Sequence, residues 1–118
     1  RRSIYLETRR NFPVPLLAVF DLPIPTTTIG RRNVSNVPAQ SLVMMNDPFI
    51  HEMSRLWGKR SAAHGDLDLL WRQAFARKAT SEELEAAGVF IDAGDRSEET
   101  WIELCHALMN TKEFTHLN

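Results

Sequence analysis

The chain has 118 residues, of which 43% are hydrophobic and 25% charged, and its formal net charge is -1. These proportions are typical of a globular domain, and a chain of this length buries roughly two-thirds of its unfolded surface. No run of about 18 apolar residues is present, which excludes a membrane-spanning helix. The single cysteine, Cys105, excludes an internal disulfide and a zinc site built from cysteines alone.

The N-terminus and the charge distribution indicate how the chain is organised. It begins Arg1-Arg-Ser without an initiator methionine or signal peptide, so we expect residues 1–118 to be one domain of a larger protein. Residues 1–37 hold six arginines and two acids, a net charge of +4, whereas residues 38–118 hold eight bases and thirteen acids, a net charge of -5. We therefore predict a basic arm that docks on an acidic helical part. The alternative, an arm that binds nucleic acid, is disfavoured because the arm has few aromatic residues and no run of lysines.

The arm is rich in proline. Its four prolines are Pro13, Pro15, Pro23 and Pro25. Because proline fixes φ and lacks a backbone donor, this density excludes a long helix and leaves room for one short helical turn at residues 16–20. We therefore predict an irregular proline-rich arm, with a turn at Gly30.

From Pro38 onward the chain shows helical patterns separated by capping signals. Pro38 suits the first turn of a helix, which Asn46-Asp47-Pro48 interrupts because a residue before proline avoids helical geometry. Asp47 is then predicted to cap a second helix. The predicted buried stripe of that helix contains Phe49, Met53, Leu56, Trp57 and Arg60. A linker is predicted at residues 61–65.

Three further helices are predicted towards the C-terminus. Asp66 is expected to cap a helix that reaches Lys78, and Thr80-Ser-Glu-Glu83 has the spacing of a capping box. Gly88, in the helix that follows, is a candidate for close contact between helices. Ser97 is expected to cap the last helix. The chain is therefore predicted to be all-α, a small bundle of four to five helices with an irregular proline-rich N-terminal arm.

The stretch from Gly30 to Phe49 gathers the side chains best suited to an anion-binding site. Arg31 and Arg32 follow Gly30, which permits a turn, and arginine offers a planar fork of donors for a carboxylate or a phosphate. The other candidate ligand-binding residues are Asp21, Asn33, Gln40, Asn46 and Asp47. The alternative is a structural network, in which the arginines pair with acids and the amides satisfy backbone groups of an irregular loop.

Other signals of chemistry are incomplete. His51-Glu52 begins like a zinc-protease motif, but position 55 is an arginine, and Cys105-His106 lacks the earlier cysteine of a haem-attachment motif. Three residues of metal-binding type lie close together in sequence: His64, Asp66 and Asp68. A capping role for Asp66 explains this cluster without a metal. We therefore predict no catalytic residue, cofactor or metal site, and the sequence leaves open whether the chain is part of an enzyme.

Several short stretches, taken in order, carry a resemblance to a known family. They are Arg1-Arg-Ser-Ile-Tyr-Leu6, Phe20-Asp-Leu-Pro23, Gly30-Arg-Arg-Asn33, Val37-Pro-Ala-Gln-Ser-Leu42, Asn46-Asp-Pro-Phe49, Leu104-Cys-His-Ala-Leu-Met-Asn110 and Glu113-Phe114. In these stretches the chain resembles the planctomycete-specific C-terminal domain of unknown function that bears the number 1553 (DUF1553). One departure is Phe75-Ala-Arg-Lys-Ala79, where relatives often carry a turn of the Leu-Gly-Arg-Pro type.

The resemblance implies a place in a larger protein rather than a reaction. Domains of this family lie at the end of large proteins that often also carry a cytochrome-c-like domain and a second uncharacterised domain. This implies an exported parent, periplasmic or on the cell surface, and upstream domains of the same polypeptide as partners. We therefore expect a non-catalytic structural or interaction module. The alternative is part of a carbohydrate-active or other hydrolytic enzyme, with an anion-binding site at the Gly30-Arg31-Arg32 turn.

Overall fold

The computed structural model describes residues 14–20 and 37–115. All regular secondary structure in these ranges is helical, which confirms the predicted all-α class. The helices are α1 (Pro15–Val19), α2 (Val37–Asn46), α3 (Pro48–His64), α4 (Leu67–Phe75), α5 (Ser81–Ala93), α6 (Glu98–Met109) and α7 (Lys112–Thr115). The five helices from α2 to α6 correspond to the predicted four to five, and α1 and α7 are pieces of five and four residues. None of these described helices is long and apolar enough to cross a lipid bilayer.

The chain divides into two compact units, Arg1–Val43 and Met44–Asn118. The predicted organisation, an arm of residues 1–37 and a helical part of residues 38–118 within one domain, stays a prediction. Each unit has its own local contacts.

In the first unit, α1 confirms the short helical turn predicted near residues 16–20. Pro15 opens this helix, where its missing N–H would have no intrahelical partner. Buried Gln40, on α2, donates from Nε2 to the carbonyl oxygen of Val19 at 3.3 Å. This bond satisfies a carbonyl near the end of α1. The predicted turn at Gly30 lies outside the described residues.

Four helix caps predicted from sequence are confirmed. They are Asp47, Asp66, Thr80 and Ser97. Each side-chain oxygen accepts a hydrogen bond from a backbone N–H in the first turn of its helix, at 2.8 to 3.3 Å. At Thr80 the capping box is complete, because the Thr80 N–H donates to Glu83 Oε2 at 2.8 Å. Such caps contribute about 1 kcal/mol each.

The predicted linker at residues 61–65 is wrong, because α3 continues to His64. Ser61 is buried inside the helix, and the alanines that follow it favour helix over loop. The helix ends at Gly65, which adopts a left-handed conformation with φ of +66°. Glycine has no Cβ to oppose this conformation, so the connection between α3 and α4 is short and sharply turned.

The predicted end of α4 at Lys78 is also wrong, because the helix stops at Phe75. Ala76 takes the left-handed C-terminal position with φ of +56°, and its N–H donates to the carbonyl oxygen of Arg72 at 3.1 Å. A left-handed alanine is strained relative to glycine by roughly 1–2 kcal/mol. The left-handed position at a helix C-terminus is usually a glycine, whereas an alanine in the sequence predicts that the helix continues.

The core of the second unit lies where α3, α4, α5 and α6 meet. Its buried members are Trp57, Leu70, Trp71, Ala87, Ile91, Trp101, Leu104, Cys105 and Leu108. The three tryptophans therefore belong to the interior, with apolar side chains from four helices around them. Burial of aromatic side chains of this size is a large favourable term in folding.

Among the described helices, α3 and α6 make the most extensive contact. Reading along α3, Ser54 contacts Met109, Gly58 contacts Ile102 and Lys59 pairs with Glu98, so the two helices run antiparallel. The α3 side of this contact is made of small buried residues: Ser54, Gly58 and Ser61. Small residues allow the two backbones to approach closely, which larger side chains would prevent.

This interface corrects two predictions about α3 and α5. The predicted buried stripe of α3 is only partly buried, since Phe49 is 54% exposed and Leu56 is 42% exposed. The face turned to α6 is instead rotated towards the small residues around Gly58. Gly88 has no neighbour within 4 Å of a Cβ built on it, so it is not the glycine of close contact.

Candidate ligand groove

The anion-binding site predicted from sequence lies mostly outside the described residues. This holds for Gly30, Asp21, Arg31, Arg32 and Asn33. The proposed convergence of these side chains therefore stays a prediction.

The three remaining residues of that predicted site have separate surroundings. Gln40 is buried and bonded to the Val19 carbonyl. Asp47 caps α3 through its bond from the Phe49 N–H at 2.8 Å. Asn46 is the exposed last residue of α2. The contacts of Gln40 and Asp47 are of the kind that the structural-network alternative requires, because both satisfy backbone groups.

A groove in the second unit is a candidate site among the described residues. It lies between α3, α4, the end of α6 and α7, and its volume is about 300 Å³. Its lining residues are Met53, Trp57, Arg60, Gln73, Ala74, Met109 and Phe114. We call this feature the Arg60 groove. Five of its seven lining residues are apolar or aromatic, and the two polar ones both carry donor groups, so the groove combines an apolar wall with a small polar end.

The polar end of the Arg60 groove is ordered by a tryptophan. The indole Nε1–H of Trp57 donates to Gln73 Oε1 at 2.7 Å. Because this bond occupies the oxygen, it fixes which way the amide points and leaves the Gln73 NH₂ group as the available donor. Arg60 adds a guanidinium that has no hydrogen-bond or ion-pair partner among the described residues. Asp66 does not line this groove. It lines, together with Arg60, a second and smaller cavity of about 170 Å³.

A cluster of ion pairs connects α7 to the rest of the second unit. Arg77 donates to both carboxylate oxygens of Glu83, at 2.8 and 2.7 Å, and to both oxygens of Glu113, at 2.6 and 2.8 Å. We call these three residues the Arg77 clasp. The hydrogen bonds from Arg77 lower the pKa of the Glu113 carboxyl and hold that of Glu83 far below its usual range. The clasp therefore joins the start of α5 to α7 through the loop that follows α4.

The pKa shifts in the Arg77 clasp predict how its contribution depends on pH. Both carboxyls have a lower pKa in the folded chain than in the unfolded chain, so their stabilisation is complete above the ordinary glutamate pKa of 4.5. It is lost progressively as the pH falls below that value. We expect Arg77→Gln to lower the free energy of unfolding at pH 7, and the deficit to shrink between pH 5 and pH 3. Urea unfolding at a series of pH values measures both effects.

Arg96→Gln is the matched control for this prediction. Arg96, in the turn that follows α5, pairs with Asp92 at 2.8 Å and its side chain is 74% exposed, a class of ion pair that contributes little to stability. Two results contradict a structural role for the clasp. One is a loss of unfolding free energy in Arg77→Gln that equals the loss in Arg96→Gln, and the other is a loss that stays constant down to pH 3.

The carboxylates of Asp66 and Asp68 have structural roles. The predicted capping role of Asp66 is confirmed, while Asp68 binds Arg72 and the Ala79 N–H, which together lower its pKa. The rings of His51 and His106 lie 4.6 Å apart, tilted by 33°. No group of three or more histidine, cysteine or acidic residues that could hold a metal occurs in residues 14–20 and 37–115.

The described part of the chain is all-α, and its second unit carries an open, mainly apolar groove. The chain belongs to the family described as "Protein of unknown function (DUF1553)", whose model matches residues 1–91. This match confirms the resemblance found in the sequence, apart from the stretches after residue 91, which it does not include. No curated protein and no solved structure matches the chain.

Sequence reasoning missed the Arg60 groove as a site. The sequence places Arg60 at the end of a helical stripe, and no sequence pattern marks Gln73. The bond between Trp57 and Gln73 joins residues sixteen positions apart on two helices. Periodicity within one helix does not reveal such a pairing, because it depends on how α3 and α4 pack.

Proposed function

We propose that the chain is a non-catalytic interaction module within a larger exported protein, periplasmic or on the cell surface. Its partners are then the upstream domains of the same polypeptide. Membership of a family of unknown function is compatible with this role, and the export and the multidomain context rest on what the resemblance implies.

The observation that carries the proposal is the second face of α3. One face of this helix packs on α6 through small residues, yet a separate stripe of Phe49, Met53 and Leu56 recurs at helical spacing. Phe49 and Leu56 stay largely exposed in the described chain. Exposed apolar residues aligned along a helix mark interaction surfaces more often than isolated ones do.

The perturbed ionisable groups support the non-catalytic part of the proposal. Strongly shifted pKa values often mark catalytic residues, but they also occur in structural networks. Here the shifted carboxyls of Glu83 and Glu113 are held by hydrogen bonds from Arg77 that connect helices. The shift at Cys105 comes first from burial in the core.

The test compares the isolated chain with the full-length parent. We expect Phe49→Ser combined with Leu56→Ser to leave the stability of the isolated chain within about 0.5 kcal/mol, because both sites are exposed there. In the parent, the same pair is expected to increase hydrogen exchange along α3, because the stripe loses its apolar contacts.

Val89→Ser is the control for this experiment, since Val89 is an exposed apolar residue on α5, away from the stripe. It is expected to change exchange along α3 in neither context. Equal α3 exchange in the wild-type parent and the double variant would count against an interface on this face.

A further inference from the structure

We propose that the Arg60 groove binds a small amphiphilic carboxylate, with the carboxylate at Arg60 and Gln73 and the apolar body along the groove wall. This site shares Met53 with the α3 stripe of the proposed function, but Arg60 and Gln73 lie outside that stripe, so the inference does not depend on the chain being an interaction module. Three features of the groove carry the inference: its donors, its wall and its size.

The polar end of the groove offers donors and no acidic group. Neither Arg60 nor the NH₂ group of Gln73 accepts hydrogen bonds in its ordinary state, and the lining residues include no aspartate or glutamate. The Gln73 oxygen accepts from Trp57, which assigns the NH₂ group as the part of this amide that can donate to the ligand. Two donors that line one groove, one of them permanently charged, suit the two oxygens of a carboxylate.

The wall of the groove selects an apolar body. Met53 and Met109 are unbranched and adapt to irregular shapes, and Phe114 contributes a ring that is partly exposed. Ala74 is small and leaves space at the α4 side. An ion with no apolar part would leave this wall in contact with water, so an amphiphile fits the groove better than an inorganic anion.

The volume favours a small molecule over a protein segment. About 300 Å³ lies at the lower end of the range for small-molecule pockets, roughly 300–1,000 Å³. A helical peptide needs a longer groove with several anchor pockets along it. We therefore take a medium-chain carboxylate, decanoate, as the probe and decan-1-ol as its uncharged analogue.

The experiment measures binding of both probes by calorimetry and follows the three tryptophan indole N–H signals by NMR. We expect saturable binding of decanoate that moves the Trp57 signal, because Trp57 lines the groove, and leaves the signals of Trp71 and Trp101 in place. Decan-1-ol is expected to bind about 10-fold or more weakly, because it lacks the charge that Arg60 complements.

Two variants test the polar end. Arg60→Gln is expected to weaken decanoate binding about 10-fold or more, while decan-1-ol binding stays unchanged. Gln73→Glu keeps an oxygen for the Trp57 indole but replaces the NH₂ donor with a negative oxygen. It is therefore expected to weaken decanoate binding and to spare decan-1-ol.

Arg55→Gln is the matched control, since Arg55 lies on the same helix, pairs with Glu52 and does not line the groove. It should bind decanoate as the wild-type chain does. The inference is overturned if decan-1-ol binds as tightly as decanoate, if Arg60→Gln binds like Arg55→Gln, or if decanoate shows no saturable binding. A Trp57 signal that stays fixed while binding occurs also overturns it, because the ligand then lies elsewhere.

Discussion

Gly58→Ala is expected to destabilise the chain by about 3 kcal/mol, a large part of the stability of a domain of this size. A Cβ at position 58 would lie 2.5 Å from the Cα of Ile102 and 2.7 Å from its backbone nitrogen. These are backbone atoms of α6, so no side-chain rotation relieves the overlap and the two helices must separate. The loss exceeds the gain of about 1 kcal/mol that alanine brings to a helix interior. Urea unfolding measures the difference directly.

Gly88→Ala is the natural control, because the same substitution meets no atom within 4 Å. In α5 it should stabilise the chain by about 0.5–1 kcal/mol through helix propensity alone. The opposite signs of the two substitutions test the close contact between α3 and α6. If Gly58→Ala is as stable as the wild-type chain, the described approach of these helices is incorrect.

The thiol of Cys105 is expected to react with a disulfide reagent at least a thousandfold more slowly in the folded chain than in the unfolded chain. Its side chain is 0% exposed, and burial raises its pKa from 9.0 to about 12. At pH 8 a shift of this size lowers the reactive thiolate about a thousandfold, before any barrier to access is counted. Labelling followed with and without urea measures the ratio.

The control for this measurement places a cysteine on the surface. In a Cys105→Ala background, Ala86→Cys puts the thiol at an exposed position of α5, and it should react nearly as fast folded as unfolded. Rapid labelling of Cys105 in the folded wild-type chain contradicts the buried position. Slow labelling makes this thiol a reporter of opening of the core, and it argues against a nucleophilic role.

The local sequence predicts well where the helices of this chain begin. The caps at Asp47, Asp66, Thr80 and Ser97 each depend on residues within three positions, so their signals are complete in the sequence. The α3 interface was mispredicted for the opposite reason. A periodic pattern is recognised from apolar residues, whereas this contact is made by serines and a glycine. Whether such small residues are buried depends on the helix that faces them.

The helix ends and the candidate site required three-dimensional packing. Ala76 occupies a position that favours glycine, and no propensity scale assigns it there. The predicted arginine site at residues 30–33 remains a hypothesis about residues that the structure does not describe. The groove depends on Arg60 and Gln73, which lie on different helices and line one cavity.

The Arg77 clasp has a consequence for the groove. Glu113 is the neighbour of Phe114 in α7, so the salt link that anchors this last helix also positions one side of the groove. Protonation of Glu113, or screening by concentrated salt, weakens the ion pair with Arg77 and loosens that side of the groove. In the proposed binding mode Arg77 does not contact the ligand, yet we expect acid stability and ligand affinity to be coupled through it, because its ion pair with Glu113 holds the helix that carries Phe114.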